Sequence, residues 1–317
     1  RILKILEGGD HLFTGKLIQD QDKSFQVMAD RSIRYPLPVK RSSVGSACPG
    51  DKVRFLVRLD KQERPLAELL TVYGSADSAR VCADSLIESM GIPCVFSEEV
   101  QREAKESAAR RDSLEGREDF RDRLIFTIDG EDAKDLDDAV SLEKTETGWI
   151  LGVHIADVSH YVPWNSRVDF EARERATSVY LVDRVLSMLP EALSNDVCSL
   201  RPHEERRAMS VEMLIDEKGF VRDARITPSV IKSKARLTYG TVQVSIDALQ
   251  AGDFQAAVAA LRPMAGAFAE DIAQSIDVLH EIAQALHANR VRRGGMDFES
   301  EEAKVRLNDE GVPVSVA

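Results

Sequence analysis

The spacing of apolar residues changes along this chain, and the change limits the folds that it can adopt. From Leu12 to Tyr73, short apolar runs alternate with clusters of Asp, Gly, Ser and Pro, which is typical of a small antiparallel barrel. Helical spacing follows, interrupted at Pro93, and then a highly charged stretch, which together predict two short connecting helices. The remainder mixes strand and helix patterns. We therefore predict an α+β protein in three parts, at residues 1–75, 76–118 and 119–317.

The third part contains several strand candidates rich in Val, Ile, Leu and aromatic residues. They are RLIFTIDG, GWILGVHIADVSHYV, RAMSVEMLIDEKG and VIKSKARLTYGTV. The segment EARERATSVYL predicts a helix that leads into a strand. From Asp253 to Arg293, apolar residues recur every three or four positions. This pattern predicts one long helix that starts or kinks near Pro263 and ends at Gly294.

The composition is that of an ordinary globular protein and excludes several classes. A chain of 317 residues with 43% apolar and 30% charged residues can form buried cores, which argues against disorder. No run approaches the ~20 apolar residues of a membrane helix, and residues 1–15 lack a secretion signal. The four cysteines form no CxxC or CxxH pattern. We therefore predict buried thiols in a reducing cytoplasm, without a zinc site or a disulfide framework.

The net charge of −12 counts against a nucleic-acid partner, but the charge is unevenly distributed. Residues 1–75 carry +4 and the remainder carries −16. Within DRSIRYPLPVKR, the cations Arg31, Arg34 and Lys40 surround Tyr35. Such a group can stack a base on the tyrosine while the cations contact phosphates. A solvated hairpin, whose two prolines protect an edge strand, fits the same residues equally well.

The strongest local signal is the acidic segment TIDGEDAKDLDDAV. It places Asp129, Asp135, Asp137 and Asp138 within ten residues, directly after a predicted strand. Two carboxylates ~4 Å apart repel by about 4 kcal/mol at an effective dielectric constant near 20. Converging carboxylates must therefore shift their pKa values or bind a cation. Ligation by oxygen alone favours Mg²⁺ or Mn²⁺, since zinc recruits His or Cys and the spacing does not match a calcium EF-hand loop.

A magnesium ion held by carboxylates can activate water against a phosphodiester, so hydrolytic phosphoryl transfer is the leading chemistry. The alternative is an acidic surface loop that caps a helix. Apolar residues flank the cluster closely on both sides, and this favours a partly buried pocket. His154, His160 and His203 pair with no Cys or Ser nucleophile pattern. We interpret these histidines as polar residues at strand ends that help to orient loops.

Five segments stand out in order along the chain: IDGEDAKDLDDAV, VHIADVSHYV, EARERATSVYL, SMLPEALSNDVCSL and SKARLTYGTV. Their order and spacing resemble those of the ribonuclease II and ribonuclease R exoribonucleases, and the chain resembles this family over nearly its whole length. The resemblance implies an OB or cold-shock-like RNA-binding barrel followed by an RNB-type catalytic domain. It also implies processive hydrolysis of single-stranded RNA from the 3′ end to nucleoside 5′-monophosphates.

The resemblance also assigns roles to individual residues. It implies that Asp129, Asp135, Asp137 and Asp138 bind the magnesium ion, with Asp137 indispensable.

Three aromatic residues have roles implied by the resemblance alone. Tyr180 aligns with an aromatic that stacks near the 3′-terminal nucleotides, and Tyr239 aligns with another RNA-contacting tyrosine. Stacking contributes ~1 to 3 kcal/mol per base and tolerates any sequence. Core tyrosines with bonded hydroxyl groups are the alternative for both residues. Phe298 is a candidate second stacking surface, although we favour a phenylalanine buried in a strand core.

In the family, the catalytic domain continues through a helix with a functional Glu, an Arg-rich segment and a final RNA-binding barrel. We therefore expect this chain to be the N-terminal portion of an incomplete catalytic domain, and the complete protein to be a monomer. One alternative is a non-catalytic RNA-binding or regulatory relative. Another is an unrelated Mg²⁺ phosphoesterase that shares only the acidic segment, which the other four motifs disfavour.

Overall fold

The computed structural model describes residues 12–110, 112–298, 305–309 and 311–316. The strands are, in chain order, β1 Leu12–Gln19, β2 Phe25–Ala29, β3 Leu37–Pro38, β4 Asp51–Leu59, β5 Pro65–Ser75, β6 Glu118–Phe120, β7 Ile125–Asp129, β8 Asp138–Thr145, β9 Gly148–Ala156, β10 Val179–Tyr180, β11 Val185–Leu186, β12 Glu205–Ile215, β13 Val221–Lys232, β14 Ala235–Thr238, β15 Val305–Leu307 and β16 Pro313–Val316. The helices are α1 Ala79–Met90, α2 Glu98–Ala108, α3 Val158–Tyr161, α4 Arg167–Arg175, α5 Tyr239–Gln250, α6 Phe254–Ala265 and α7 Ala269–Arg292.

The chain forms two units. The first contains residues 12–95, residues 175–188 and the described residues after 304, and the second contains the described residues of 96–174 and 189–298. Helix α1 therefore belongs to the first unit and α2 to the second. The division of the chain at 75 and 118 stays a prediction. No helix in the described ranges is long and apolar enough to cross a membrane.

The first unit is built on the antiparallel sheet expected for the N-terminal region. Its strand order is β3-β2-β1-β4-β5, and a bridge between Val39 and Ala67 joins the two edges. The sheet thus closes around a buried core that includes Leu17 and Phe55. A Cβ atom on Gly15 would lie 2.3 Å from the Met28 carbonyl oxygen, so glycine allows β1 and β2 to approach closely at this point.

The second unit contains a seven-stranded mixed sheet with the order β14-β7-β8-β9-β12-β13-β6. The edge strands β14 and β6 run parallel to their neighbours, and β6 pairs only with residues 229–231 of β13. Successive strand residues point to opposite faces of the sheet. Accordingly, Ile125 packs in one core with Val100 of α2, while Phe126 packs in another with Leu261 of α6 and Ile272 of α7.

The two short helices predicted after the barrel are confirmed as α1 and α2. Each begins at a serine whose side chain accepts a backbone N–H hydrogen bond, Ser78 from Val81 and Ser97 from Val100. Such caps satisfy donors that the first helical turn leaves unpaired. The helix predicted to lead into a strand is confirmed as well, since α4 is followed by β10.

The prediction of one long helix from Asp253 to Arg293 is wrong. Two helices, α6 and α7, occupy this segment, and the chain breaks between them at Gly266, where φ is 54°. A positive φ is readily adopted by glycine and costly for other residues. Pro263 lies in the last turn of α6 instead of starting or kinking a helix in its first turn. The predicted end at Gly294 is confirmed, because α7 stops at Arg292.

The prediction of four buried thiols is wrong for two of the cysteines. All four are free thiols. Cys198 is buried and Cys82 is half-buried, but Cys48 and Cys94 are exposed. The exposed pair lie in loops beside prolines, where the chain turns at the surface. Spacing between cysteines carries no information about burial at such positions.

Candidate active site

The acidic loop, which we define as residues 129–138, joins two neighbouring strands at one end of the second sheet. Asp129 is the last residue of β7 and Asp138 is the first residue of β8. These strands pair antiparallel, with Phe126 opposite Val140. Both carboxylates therefore lie at the same end of the sheet. The carbonyl oxygen of Asp137 accepts a 2.8 Å hydrogen bond from the Ala156 amide at the end of β9.

An arginine from the edge strand β14 holds the first half of the acidic loop. Nη2 of Arg236 donates to the carbonyl oxygens of Gly130, Glu131 and Ala133, at 3.2, 2.8 and 2.8 Å. This single guanidinium group satisfies three carbonyl oxygens of an irregular segment. Because hydrogen bonds that involve a charged partner are stronger than neutral ones, Arg236 is a main anchor of the loop.

A serine holds the second half of the loop. The hydroxyl of Ser199 donates to the Lys134 carbonyl oxygen at 2.8 Å and accepts from the Leu136 amide at 3.1 Å. The Leu200 amide donates in turn to the Leu136 carbonyl oxygen at 2.8 Å. The Leu136 side chain is buried in the core that also contains Ile125. The backbone between the acidic residues is therefore fixed on both sides.

Replacing Arg236 with methionine is expected to destabilise the second unit by about 2 to 3 kcal/mol, because three carbonyl oxygens lose their charged donor. The pKa of Asp129 should rise further, because the Arg236 charge now lowers it. Urea unfolding and NMR titration of the Asp129 carboxyl carbon measure the two effects. Arg222→Met is the control, since exposed Arg222 pairs with Asp216 and should change stability by less than about 1 kcal/mol. Equal stability of both variants would contradict the anchoring role.

The carboxylates of the acidic loop influence one another. Desolvation, followed by the charges of Asp135, Asp138 and Asp129, raises the pKa of Asp137 to about 6. The pKa of Asp129 is raised as well, first by desolvation and then by the charges of Asp138 and Asp135. The Asp137 residue is exposed to solvent, but protein atoms around its carboxylate exclude part of the water that would hydrate the charge. The charges of the neighbouring carboxylates thus contribute to both pKa shifts, and desolvation contributes most.

One carboxylate oxygen of the loop has no partner. Oδ2 of Asp129 is buried and makes no hydrogen bond within the described residues. A buried acceptor of this kind is costly unless a cation or water satisfies it. The all-oxygen donor set fits Mg²⁺. In the described ranges, however, no three His, Cys, Asp or Glu side chains are arranged to hold a metal ion. These carboxylates therefore do not form a complete metal-binding site in the structure.

The predicted stacking residues are all exposed. Tyr239 is the first residue of α5 and is 65% exposed. It follows Thr238, which pairs with Asp129, so Tyr239 lies at the acidic end of the sheet. Tyr180 belongs to β10 of the first unit and is 67% exposed. Phe298 is 83% exposed and outside any strand. The favoured burial of Phe298 in a strand core is therefore wrong.

The predicted basic group of the barrel is exposed, but its members differ. Tyr35 is exposed, as are Arg31 and Arg34, which form no ion pair with any described residue. Lys40 is instead bonded to the Glu68 carboxylate, with Nζ 2.6 Å from Oε1. Of the three cations, Arg31 and Arg34 therefore have no carboxylate partner among the residues that the structure describes.

The interpretation of His154 as a residue at a strand end is wrong. It lies within β9, is fully buried and bonds through Nε2 to the Ser141 hydroxyl at 3.0 Å and through Nδ1 to the Ser210 hydroxyl at 2.6 Å. Burial, followed by the nearby charge of Arg123, lowers its pKa to about 4. His160 lies in the short helix α3, and His203 lies in a turn.

Sequence reasoning missed Arg236 and Ser199. Arg236 lies in the motif SKARLTYGTV, within a predicted strand, and this was an available signal because a cation in a partly buried strand requires acceptors. Ser199 carries no comparable signal.

Comparison with known proteins agrees with this architecture. Residues 117–317 match the model of the RNB domain. The chain is 39% identical to Ribonuclease R of Thermotoga maritima, covering 100% of this chain and 44% of that protein. It is 44% identical to Ribonuclease R 1 of Lactococcus lactis, covering 77% of this chain and 29% of that protein.

A solved structure shows the same likeness. The structure of Mycoplasma genitalium RNase R in complex with ribose-methylated single-stranded RNA is 25% identical, with a TM-score of 0.75. The match covers 99% of this chain and 48% of that one. The chain therefore spans less than half the length of these three relatives.

Proposed function

The chain belongs to the RNB family of exoribonucleases, and from this premise we propose that its full-length gene product hydrolyses single-stranded RNA from the 3′ end to nucleoside 5′-monophosphates. The observation that carries the proposal is the acidic loop. It begins and ends with aspartates at one end of a sheet, and Oδ2 of Asp129 is buried without a hydrogen-bond partner among the described residues.

Asp129, Asp135, Asp137 and Asp138 would hold Mg²⁺, or Mn²⁺, in this proposal. A bound ion of this type lowers the pKa of coordinated water and stabilises charge on the phosphodiester oxygens. The chain itself supplies the placement of the carboxylates. Arg236 and Ser199 fix the loop backbone, which keeps like charges together despite their repulsion.

Exposed aromatic residues would hold the RNA strand. Tyr239 lies at the acidic end of the sheet, and its ring is available for stacking. Tyr180 and Phe298 are proposed as further stacking surfaces on the basis of their exposure. Stacking on aromatic rings accepts every base, which suits an enzyme that degrades RNA of any sequence.

The closed five-stranded sheet of the first unit is proposed as an OB or cold-shock-like RNA-binding barrel. Its five strands and the bridge that closes them agree with such a fold. Arg31 and Arg34 are the cations proposed to contact phosphates, beside Tyr35. Lys40 is expected to contribute less, because Glu68 already compensates its charge.

Changing both Arg31 and Arg34 to glutamine is expected to reduce the salt dependence of RNA binding. Each phosphate contact to a single strand contributes about 0.7 to the slope of log K against log salt concentration, so the slope should fall by about 1.4. Fluorescence anisotropy at several salt concentrations gives this slope. The control changes Arg58 and Arg64, which pair with Glu68 and Asp60, and should leave the slope near that of the wild type. An unchanged slope in the first variant would assign Arg31 and Arg34 to the solvated surface.

The proposed activity is tested by incubating the full-length gene product with RNA labelled at either end. With Mg²⁺, we expect a 3′ label to appear at once as a nucleoside 5′-monophosphate, while a 5′ label stays on progressively shorter strands. EDTA should stop the reaction. Release of the 5′ label first, or products that carry 3′-phosphates, would contradict the proposal.

One observation favours a second candidate, a non-catalytic RNA-binding relative. The described carboxylates are not arranged as a closed set of metal ligands. Tight retention of RNA without any release of nucleotides, in the presence of Mg²⁺ or Mn²⁺, would support this second function over the first.

A further inference from the structure

A cavity of about 430 Å³ lies beside the acidic loop in the second unit. Lys134 and Leu136 of the loop line it, together with Asn195 and Arg201 from the following segment and Arg236 of β14. Neither Asp135 nor Asp137 is among the residues that line the cavity. The loop therefore presents a cation and an apolar residue to the cavity.

Cations dominate the charged lining of this cavity. Glu204 also lines the cavity, but Arg206 compensates its charge, because Nη2 of Arg206 lies 2.5 Å from Oε2 of Glu204. Lys134 is exposed and forms no ion pair within the described part of the chain. Nη2 of Arg201 donates to the Asn195 carbonyl oxygen, and Nη1 lies 3.3 Å from Asp196, whose side chain is 60% exposed. Such solvated pairs contribute little stability, so an anion can replace Asp196 at low cost.

Arg236 also lines the cavity, and the acidic loop does not satisfy all the donors of its guanidinium group. Its three loop acceptors all bond to Nη2, whereas Nε is buried and has no acceptor among the described residues. A buried charged donor without an acceptor is unfavourable. The cavity lining thus combines the guanidinium group of Arg236, the ammonium group of Lys134, which has no ion pair among the described residues, and Arg201, whose carboxylate partner is exposed.

We propose that this cavity, whose lining includes Lys134 and Leu136 but none of the carboxylates of the acidic loop, binds a phosphate group. The proposal rests on the proposed function, which would supply phosphates from the RNA backbone or from released nucleotides. A phosphate presents several acceptor oxygens in a compact anion. It can therefore accept from a guanidinium fork and an ammonium point charge together.

The test is a calorimetric titration of the full-length gene product in EDTA with inorganic phosphate. Lys134→Gln is expected to raise the dissociation constant about fivefold or more, and Arg201→Gln should raise it as well. Lys134 is exposed, so its replacement does not threaten folding. Lys218→Gln is the matched control, because this exposed lysine belongs to the hairpin turn between β12 and β13, and it should bind phosphate like the wild type.

Two further ligands identify the source of the phosphate. Tighter binding of adenosine 5′-monophosphate than of inorganic phosphate, with no binding of adenosine, assigns the cavity to a released nucleotide. Displacement of phosphate by an oligoribonucleotide without terminal phosphates assigns it to the RNA backbone. Either result supports a phosphate site, provided that Lys134→Gln lowers the affinity for the ligand concerned.

Equal affinity of the wild type and Lys134→Gln for phosphate would overturn the inference, and so would the absence of phosphate binding. These outcomes differ from a failure of the proposed function. If the gene product binds phosphate in EDTA but releases no nucleotide from RNA with Mg²⁺, only the proposed activity is wrong.

Discussion

Replacing Asp137 with asparagine is expected to lower RNA hydrolysis by the full-length gene product by at least about a thousandfold, or roughly 4 kcal/mol of activation free energy. Asparagine keeps the size of the side chain and removes its charge. Asp137 stands among the charges of Asp129, Asp135 and Asp138, so its loss weakens the site proposed for the cation. Single-turnover release of nucleotides from labelled RNA measures the effect.

The matched control is Asp132→Asn, which removes an exposed carboxylate from the same loop. This variant should retain activity within about threefold, because Asp132 is outside the proposed ligand set. Activity of Asp137→Asn within tenfold of the wild type would overturn the assignment of Asp137.

The stability of Asp137→Asn separates lost chemistry from lost folding. A carboxyl pKa raised to about 6 means that the folded protein holds this proton more tightly than the unfolded chain. Titration of this carboxyl group therefore lowers the stability of the wild type as pH rises from 3.8 to about 6. The variant lacks this contribution. Because Asp137 is exposed, screening reduces the difference to the order of 1 kcal/mol. Without metal at pH 7, Asp137→Asn should be at least as stable as the wild type.

Acidification from pH 7 to pH 4 is expected to cost the second unit about 3 kcal/mol through His154 alone. The folded protein lowers the pKa of this buried imidazole from 6.5 to about 4. The corresponding stability is fully present above pH 6.5 and is lost as pH falls toward 4, because the unfolded chain takes up the proton first. The charge of Arg123 strengthens the shift, and Glu212 opposes it.

Comparison with His154→Gln isolates this contribution. Both proteins contain the same carboxylates, so their other acid titrations cancel in the difference. The variant should be less stable at pH 7, because it leaves the Ser141 and Ser210 hydroxyl groups imperfectly paired. It should also lose less stability on acidification. Urea unfolding followed by tryptophan fluorescence is suitable, since both tryptophans, Trp149 and Trp164, belong to the second unit. Parallel pH curves for the two proteins would refute the role of His154.

The acidic loop was predictable because its information is local. Five aspartates, four of them proposed ligands, lie within ten residues, and the apolar residues on either side predict the strands that carry the ends of the loop. Arg236 and Ser199 could not be identified as its anchors in the same way. Each lies more than 60 positions away in the sequence, and Arg236 reaches the loop only because β14 pairs parallel to β7.

The break between α6 and α7 shows a different limit. Apolar residues keep their helical spacing across Gly266, because Leu261 and Ile272 on either side pack into the same core. The period of the apolar residues indicates which face of a helix is buried. Both α6 and α7 bury an apolar face in this core, so the period does not change between them. The turn depends on the positive φ of one glycine, which a pattern of apolar residues does not encode. For His154, the two serines that bond it come from β8 and β12, so its burial follows from sheet order.

Among the described strands, only β6 pairs with β13 on the side away from β12, at residues 229–231, so the first half of β13 is an outer margin of the described sheet. Exposed, unpaired backbone of this kind is a template on which other chains can add strands and build aggregates. This part of β13 carries three charged residues, Arg222, Asp223 and Arg225. Pairing with a strand of another chain would desolvate their charges. Such residues act as gatekeepers, and at this margin they protect the solubility of the protein.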